Sequence, residues 1–180
     1  MTGTRMTALL TELAGVQDPP AVFVESGTYH GKTTRLAVPR FREVHTIEIS
    51  PPLYDVAVRD LTPLGVRCHF GNASDIVPHL AVLIAEPAFW YLDAHWFKRT
   101  SAPVGGKEHP LPLWDELRAI AQRPYADIIV VDDVHSFGKS EPTPEWEAVS
   151  LDAIAAHFPG HRAAIRWDQA CVWKREPDRG

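Results

Sequence analysis

Apolar and β-branched residues along the 180-residue chain gather into short runs that alternate with segments of helical periodicity. Runs at 21–25, 44–49, 65–70, 88–93 and 127–132 are mostly bounded by turn or helix signals, the pattern of buried strands. Between them, 53–61, 75–85 and 113–122 read as helices; in the last, Leu113, Leu117, Ile120 and Ala121 recur at helical spacing. This alternation predicts a mostly parallel sheet covered on both faces, because parallel neighbours need a crossover that is usually helical. A first helix over 7–16 carries Leu9, Leu10, Leu13 and Val16 on one stripe and is expected to cap the sheet. Near the C-terminal end a helix over 151–158 is stopped by Pro159-Gly160, and runs at 162–166 and 170–174 flank a tight turn around Asp168. Strands joined so closely must be antiparallel, so the expected sheet ends in a hairpin.

Composition narrows the class. The length suits one domain over 1–180, with 1–18 as its N-terminal cap. No apolar stretch approaches the roughly 20 residues that cross a bilayer, and the N-terminus lacks a basic region followed by an apolar one. Neither membrane insertion nor secretion is expected. Cys68 and Cys171 lie in separate apolar segments without metal-type spacing, which reads as reduced core cysteines and a cytoplasmic location. The net charge is −5 and the basic residues are scattered, which argues against a nucleic-acid partner.

The chemistry concentrates after the first strand, at Glu25-Ser26-Gly27-Thr28-Tyr29-His30-Gly31-Lys32-Thr33-Thr34. Glycines at a strand-to-helix turn let the backbone approach a ligand, and the next helix offers free N–H groups. Three readings compete. A phosphate loop of the form GxxxxGK[ST] fails by one residue, Ser26 for glycine, with Ile129-Val130-Val131-Asp132-Asp133 as its acidic strand. It gives Glu25 no role. A nicotinamide loop needs GxGxxG, which is absent, and the plainest alternative is a turn with no ligand. Glu48, ending the second strand about 20 residues beyond Gly27, favours an adenosyl ligand, because a carboxylate there reaches ribose hydroxyls. After the third strand, Asn72-Ala73-Ser74-Asp75 can border a base, or Ser74 or Asp75 can cap the following helix.

Strands four and five end in Asp93-Ala94-His95 and Asp132-Asp133-Val134-His135. Ligands of doubly wound sheets sit at the carboxyl ends of strands, and three crowded carboxylates there suit a hard cation such as Mg²⁺. The alternative is that these aspartates cap turns or share a proton.

The spacing E-x-G-x-x-x-G, the hairpin-terminated strand pattern and the Leu-Asp-Ala-His-Trp and Val-Asp-Asp-Val segments resemble the class I S-adenosylmethionine-dependent methyltransferases, over nearly the whole chain. Within that class the resemblance is to the metal-dependent O-methyltransferases of the macrocin and catechol types. It implies a Rossmann-like, doubly wound, mostly parallel seven-stranded sheet with a C-terminal antiparallel hairpin strand and helices on both faces. It further implies S-adenosylmethionine held by Glu25, Gly27, Thr28, His30, Gly31, Thr33 and Glu48, with Asn72, Ala73, Ser74 and Asp75 on the adenine side. Asp93, Asp132 and Asp133 would bind the metal, as in the macrocin type; the catechol type has Asn at the position of Asp133. His95 falls where the macrocin type carries an acidic base, and Lys98 and His135 are further candidates on the same rim. The expected acceptor is a small molecule with vicinal hydroxyls, in a pocket that is open or completed by a second subunit of a homodimer. A Mg-nucleotide-binding protein of phosphate-loop type and a non-catalytic adenosyl-binding domain remain the alternatives. The long connections over 97–112 and 136–146 are candidate lids, and Trp96, Trp114 and Trp146 candidate pocket residues against a plainer role in the core.

Overall fold

The structure, a computed structural model, describes residues 6, 8, 9, 20–94, 111–140 and 144–174. Seven strands run in chain order as β1 (Val22–Ser26), β2 (Glu43–Glu48), β3 (Arg67–Phe70), β4 (Ala88–Leu92), β5 (Ile128–Val131), β6 (His161–Arg166) and β7 (Gln169–Lys174). The helices are α1 (Lys32–Ala37), α2 (Pro51–Leu61), α3 (Ala73–Leu83), α4 (Leu113–Ala121) and the short α5 (Leu151–Ala155). They form one sheet of order β3-β2-β1-β4-β5-β7-β6. The pairs from β3 to β5 are parallel, whereas β7 is antiparallel to both β5 and β6. The doubly wound, mostly parallel sheet read from the sequence is therefore present. The hairpin folds back so that its second strand, β7, lies inside the sheet and β6 takes the edge.

Strand alternation sorts the core into two layers. Val22, Val24, Trp90, Leu92, Ile129 and Val131 face Val77 and Leu80 of α3 and Leu117 and Ile120 of α4. Phe23, Phe89, Tyr91 and Val130 face Ala37 at the end of α1 and Ala57 and Leu61 of α2. Of the predicted N-terminal helix over 7–16, Ala8 and Leu9 are described; both are helical, and Leu9 is buried with Met6 in this second layer. The helix expected over 75–85 begins two residues earlier, because the Asn72 side chain caps it by accepting the Ser74 N–H at 3.0 Å. The helix expected over 151–158 is only one and a half turns long, and the Phe158 side chain still reaches the core. Among the described residues no helix is long and apolar enough to cross a membrane.

At the amino edge of the sheet, one side chain closes several helix and strand ends together. Arg123, with 2 % of its side chain exposed, pairs with Asp127, exposed by 4 %. Its guanidinium also donates to the carbonyls of Ala81, Ile84 and Glu86 at 2.6 to 2.7 Å, satisfying chain-end acceptors after α3. Asp127 in turn accepts the Ala88 N–H at 2.8 Å, which ties the start of β4 to the start of β5. Removing the cation leaves a buried carboxylate and three part-buried carbonyls without their donor. Arg123→Met is expected to cost about 3–5 kcal/mol of unfolding free energy, measured by urea denaturation; a loss below 1 kcal/mol would show that water or a neighbour replaces the guanidinium.

Candidate functional site

The chain leaves β1 at Ser26 and turns through Gly27 (φ 86), Tyr29 (φ 48) and Gly31 (φ 65) into α1. A Cβ at Gly27 would lie 2.4 Å from the carbonyl oxygen of Asp93, so glycine is required where the ends of β1 and β4 touch. The turn is strapped to the end of β2. The Gly27 and Thr28 N–H groups both donate to the Ile47 carbonyl at 3.0 Å, and the Tyr29 N–H donates to Glu48 Oε2 at 2.8 Å. The other carboxylate oxygen of Glu48 accepts the Ser50 N–H at 2.9 Å. Glu48 thus meets the glycine turn directly, 21 positions from Gly27 by sequence number (48 minus 27).

Glu25 lies beneath the turn. Its Oε2 accepts from the Thr34 hydroxyl of α1 and, at 2.7 Å, from the Thr46 hydroxyl of β2; Thr46 Oγ1 then accepts from Thr28 at 2.6 Å. The network joins β1, β2, the turn and α1 through one carboxyl group. Burial pushes the Glu25 carboxyl up to about 7, against the pull of the Thr34 and Thr46 hydroxyls, and the nearby Glu48 charge adds to the rise. The remaining turn candidates differ in exposure. Thr33 is buried, while His30 is exposed and packs against Tyr29 with ring centroids 3.8 Å apart and the planes tilted by 43°. Asn72 and Ser74 make the α3 cap already described, and Asp75 lies in that helix's first turn. Ser26 Oγ, at the end of β1, is buried without a hydrogen-bond partner.

Strands β4 and β5 carry the acids one residue past their ends. The Asp93 N–H donates to Ser26 O at 3.0 Å and the Asp132 N–H to Leu92 O at 3.1 Å, so both extend the ladders of their strands. The Asp132 side chain is committed on one oxygen: Oδ2 accepts the Tyr91 hydroxyl, which itself accepts from Gln169 Nε2 at 3.1 Å. Burial, followed by the Asp132 and Asp93 charges, pushes the Tyr91 phenol well above its usual range, so it stays a donor. Asp133 takes a left-handed conformation (φ 60) and turns the chain toward His135. There Asp168, from the β6–β7 turn, accepts the His135 backbone N–H at 2.9 Å and lies 2.7 Å from His135 Nδ1. The His135 side chain is 62 % exposed.

The described residues whose metal-ligating atoms gather within 4.8 Å of one another are Asp133, His135 and Asp168; Asp93 and Asp132 stand beside this group rather than in it. His95 and Lys98 lie outside the described residues, as does the candidate lid up to residue 110. Trp146 is a core residue against Phe137, and Trp114 stacks on His157 at 5.9 Å. Sequence reasoning missed Tyr91, Gln169 and Asp168. Tyr91 was legible only as a polar group inside an apolar run, and Asp168 and Gln169 only as turn residues, because the partner of Asp168 is 33 positions away and that of Gln169 is 78.

No protein-family model and no curated protein matches the sequence. In three dimensions it is similar to an O-methyltransferase from Bacillus cereus in complex with S-adenosylhomocysteine, with TM-score 0.63 and 18 % identity over 96 % of this chain and 80 % of that one. The fold is that of the S-adenosylmethionine-dependent methyltransferases. A Streptococcus mutans protein, also in complex with S-adenosylhomocysteine, gives TM-score 0.61 at 11 % identity over 97 % of this chain and 99 % of its own. An rRNA methylase from Streptococcus thermophilus gives 0.55 at 15 % identity over 98 % of both chains. In this methyltransferase fold the glycine turn and the acids share the carboxyl edge of the sheet, where the strand order reverses between β1 and β4.

The raised pKa of Glu25 has a signed consequence. A carboxyl whose folded pKa of about 7 exceeds its ordinary 4.5 favours folding fully below pH 4.5 and loses that contribution as pH rises through 7. Glu25→Gln, which cannot ionise, is expected to gain in Tm relative to the native chain between pH 5 and pH 8. Thermal unfolding at both pH values checks this, and a pH-independent difference would mean that Glu25 is not titrating there.

Proposed function

We propose that the chain transfers the methyl group of S-adenosylmethionine to an oxygen of a small molecule with vicinal hydroxyls, assisted by a divalent cation. The observation that carries this reading is the carboxylate of Glu48 set against the amide of Tyr29 in the glycine turn, within a methyltransferase fold. Glu48 is proposed to take the ribose hydroxyls, Gly27, Thr28, His30, Gly31 and Thr33 to border the amino-acid part with Glu25 bracing them from below, and Asn72 to Asp75 to border the adenine. The unpartnered Ser26 hydroxyl at the turn is a group such a donor would satisfy. S-adenosylmethionine supplies an already activated methyl sulfonium, so the protein's work is to align the acceptor oxygen and receive its proton.

Electrostatics favours this ligand over a nucleoside triphosphate. Glu48, Asp93, Asp132 and Asp133 crowd one edge, a setting that suits a sulfonium cation and repels a polyanion. A phosphate loop also needs its amides free for phosphate oxygens. Here those of Gly27 and Thr28 are given to Ile47 O, that of Tyr29 to Glu48, and that of Gly31 to Thr28 O.

The donor set at the acid edge, carboxylates with one imidazole, fits a divalent cation. Asp93, Asp132 and Asp133 would hold it, and Asp133 is also a member of the group with His135 and Asp168. A bound cation would lower the pKa of a coordinated hydroxyl. His95, Lys98 and His135 are the side chains proposed to receive the proton.

Titration calorimetry tests the ligand. The chain is expected to bind S-adenosylhomocysteine and not ATP, with or without Mg²⁺, and Glu48→Ala is expected to weaken binding by about tenfold, one to two hydrogen bonds' worth. Binding of Mg-ATP alone would overturn the reading. Methyl transfer to a panel of catechols and sugar diols, lowered by EDTA, is the expected activity; binding without transfer to any acceptor would leave an adenosyl-binding domain.

A further inference from the structure

We infer that Tyr91, backed by Gln169, is a positioning residue that aims the Asp132 carboxylate into the acid edge; the inference rests on the cation reading proposed above. Tyr91 is fully buried on β4, and its hydroxyl donates to Asp132 Oδ2 on the neighbouring strand. Gln169, 5 % exposed at the start of β7, donates its Nε2–H to the Tyr91 oxygen at 3.1 Å, and its Oε1 has no partner. The phenol is therefore fixed from both sides, by a donor and an acceptor that come from different strands. Three strands contribute: β4 supplies the hydroxyl, the end of β5 the carboxylate and β7 the amide. A phenol that merely needed a partner would be satisfied by either bond. Holding it with both restricts Asp132 to one rotamer and leaves Oδ1 as the oxygen open to a ligand. Partners of this kind, which touch a metal ligand without touching the metal, fix ligand orientation at many sites.

The test uses the full chain and Mn²⁺ alone, with binding followed by electron paramagnetic resonance of the free ion. Tyr91→Phe, which removes one oxygen, is expected to weaken Mn²⁺ binding by about tenfold or more while the affinity for S-adenosylhomocysteine stays within twofold of native. Gln169→Leu is expected to do the same to a smaller degree and guards against a Tyr91→Phe chain that does not fold. In an Asp132→Asn background, Tyr91→Phe is expected to add nothing, because its effect passes through Asp132. Unchanged Mn²⁺ affinity in Tyr91→Phe, or effects that add in full, would overturn the inference and leave the cation reading standing. A native chain that binds no Mn²⁺ would overturn both, and the S-adenosylhomocysteine titration would then stand by itself.

Discussion

Hydrogen bonding between parallel strands decides which residues of this chain share an edge. In the ladder β2-β1-β4-β5, Ile47 pairs with Ser26, Ser26 with Leu92 and Leu92 with Val131, so the next residues along, Glu48, Gly27, Asp93 and Asp132, emerge in one row. Because parallel strands all point the same way, every chemical group that follows a strand end falls on the same side of the molecule. Close approach of the first and fourth strand ends then demands glycine at 27, where a side chain would collide with the Asp93 carbonyl.

Crowding acids at one edge has an electrostatic cost, and the structure offsets it by hydrogen bonds from uncharged donors. Glu48 receives two backbone amides, Glu25 two threonine hydroxyls and Asp132 a phenol. None of these donors is a cation, so the side chains are held in place without an ion pair. A row of carboxylates held in this way attracts cations and repels anions. The opposite edge is built the other way, with the Arg123 guanidinium neutralising Asp127 and closing three carbonyls at and just after the end of α3. One end of the sheet is thereby closed by a buried ion pair, and the other carries a row of carboxylates.

Both ends join parts of the chain that are far apart in number. Arg123 is four positions from Asp127 but reaches the Ala81 carbonyl across 42, while Glu48 meets Tyr29 across 19 positions, Tyr91 meets Asp132 across 41 and Gln169 meets Tyr91 across 78. The longest of these pairs exists because β7 lies between β5 and β6 and brings Gln169, and beside it Asp168, to the row of acids. The hairpin is thus part of the site's scaffold as well as the end of the sheet.

Periodicity alone was enough for the strand and helix pattern, and with it the parallel core, since burial on both faces leaves a local apolar signature in each strand. The glycine turn, Glu48 and the acids at 93, 132 and 133 were also legible, because residues next to strand ends are placed by the strand itself. What only the folded chain decided was which side chains meet: the Tyr91–Asp132–Gln169 chain, the Asp168 carboxylate under His135 and the capping role of Asn72. Those contacts depend on rotamers and on strand order, and two strands that are neighbours in space leave no mark of it in a single sequence. Local patterns therefore determined which residues follow the strand ends, and tertiary packing determined how each group is held.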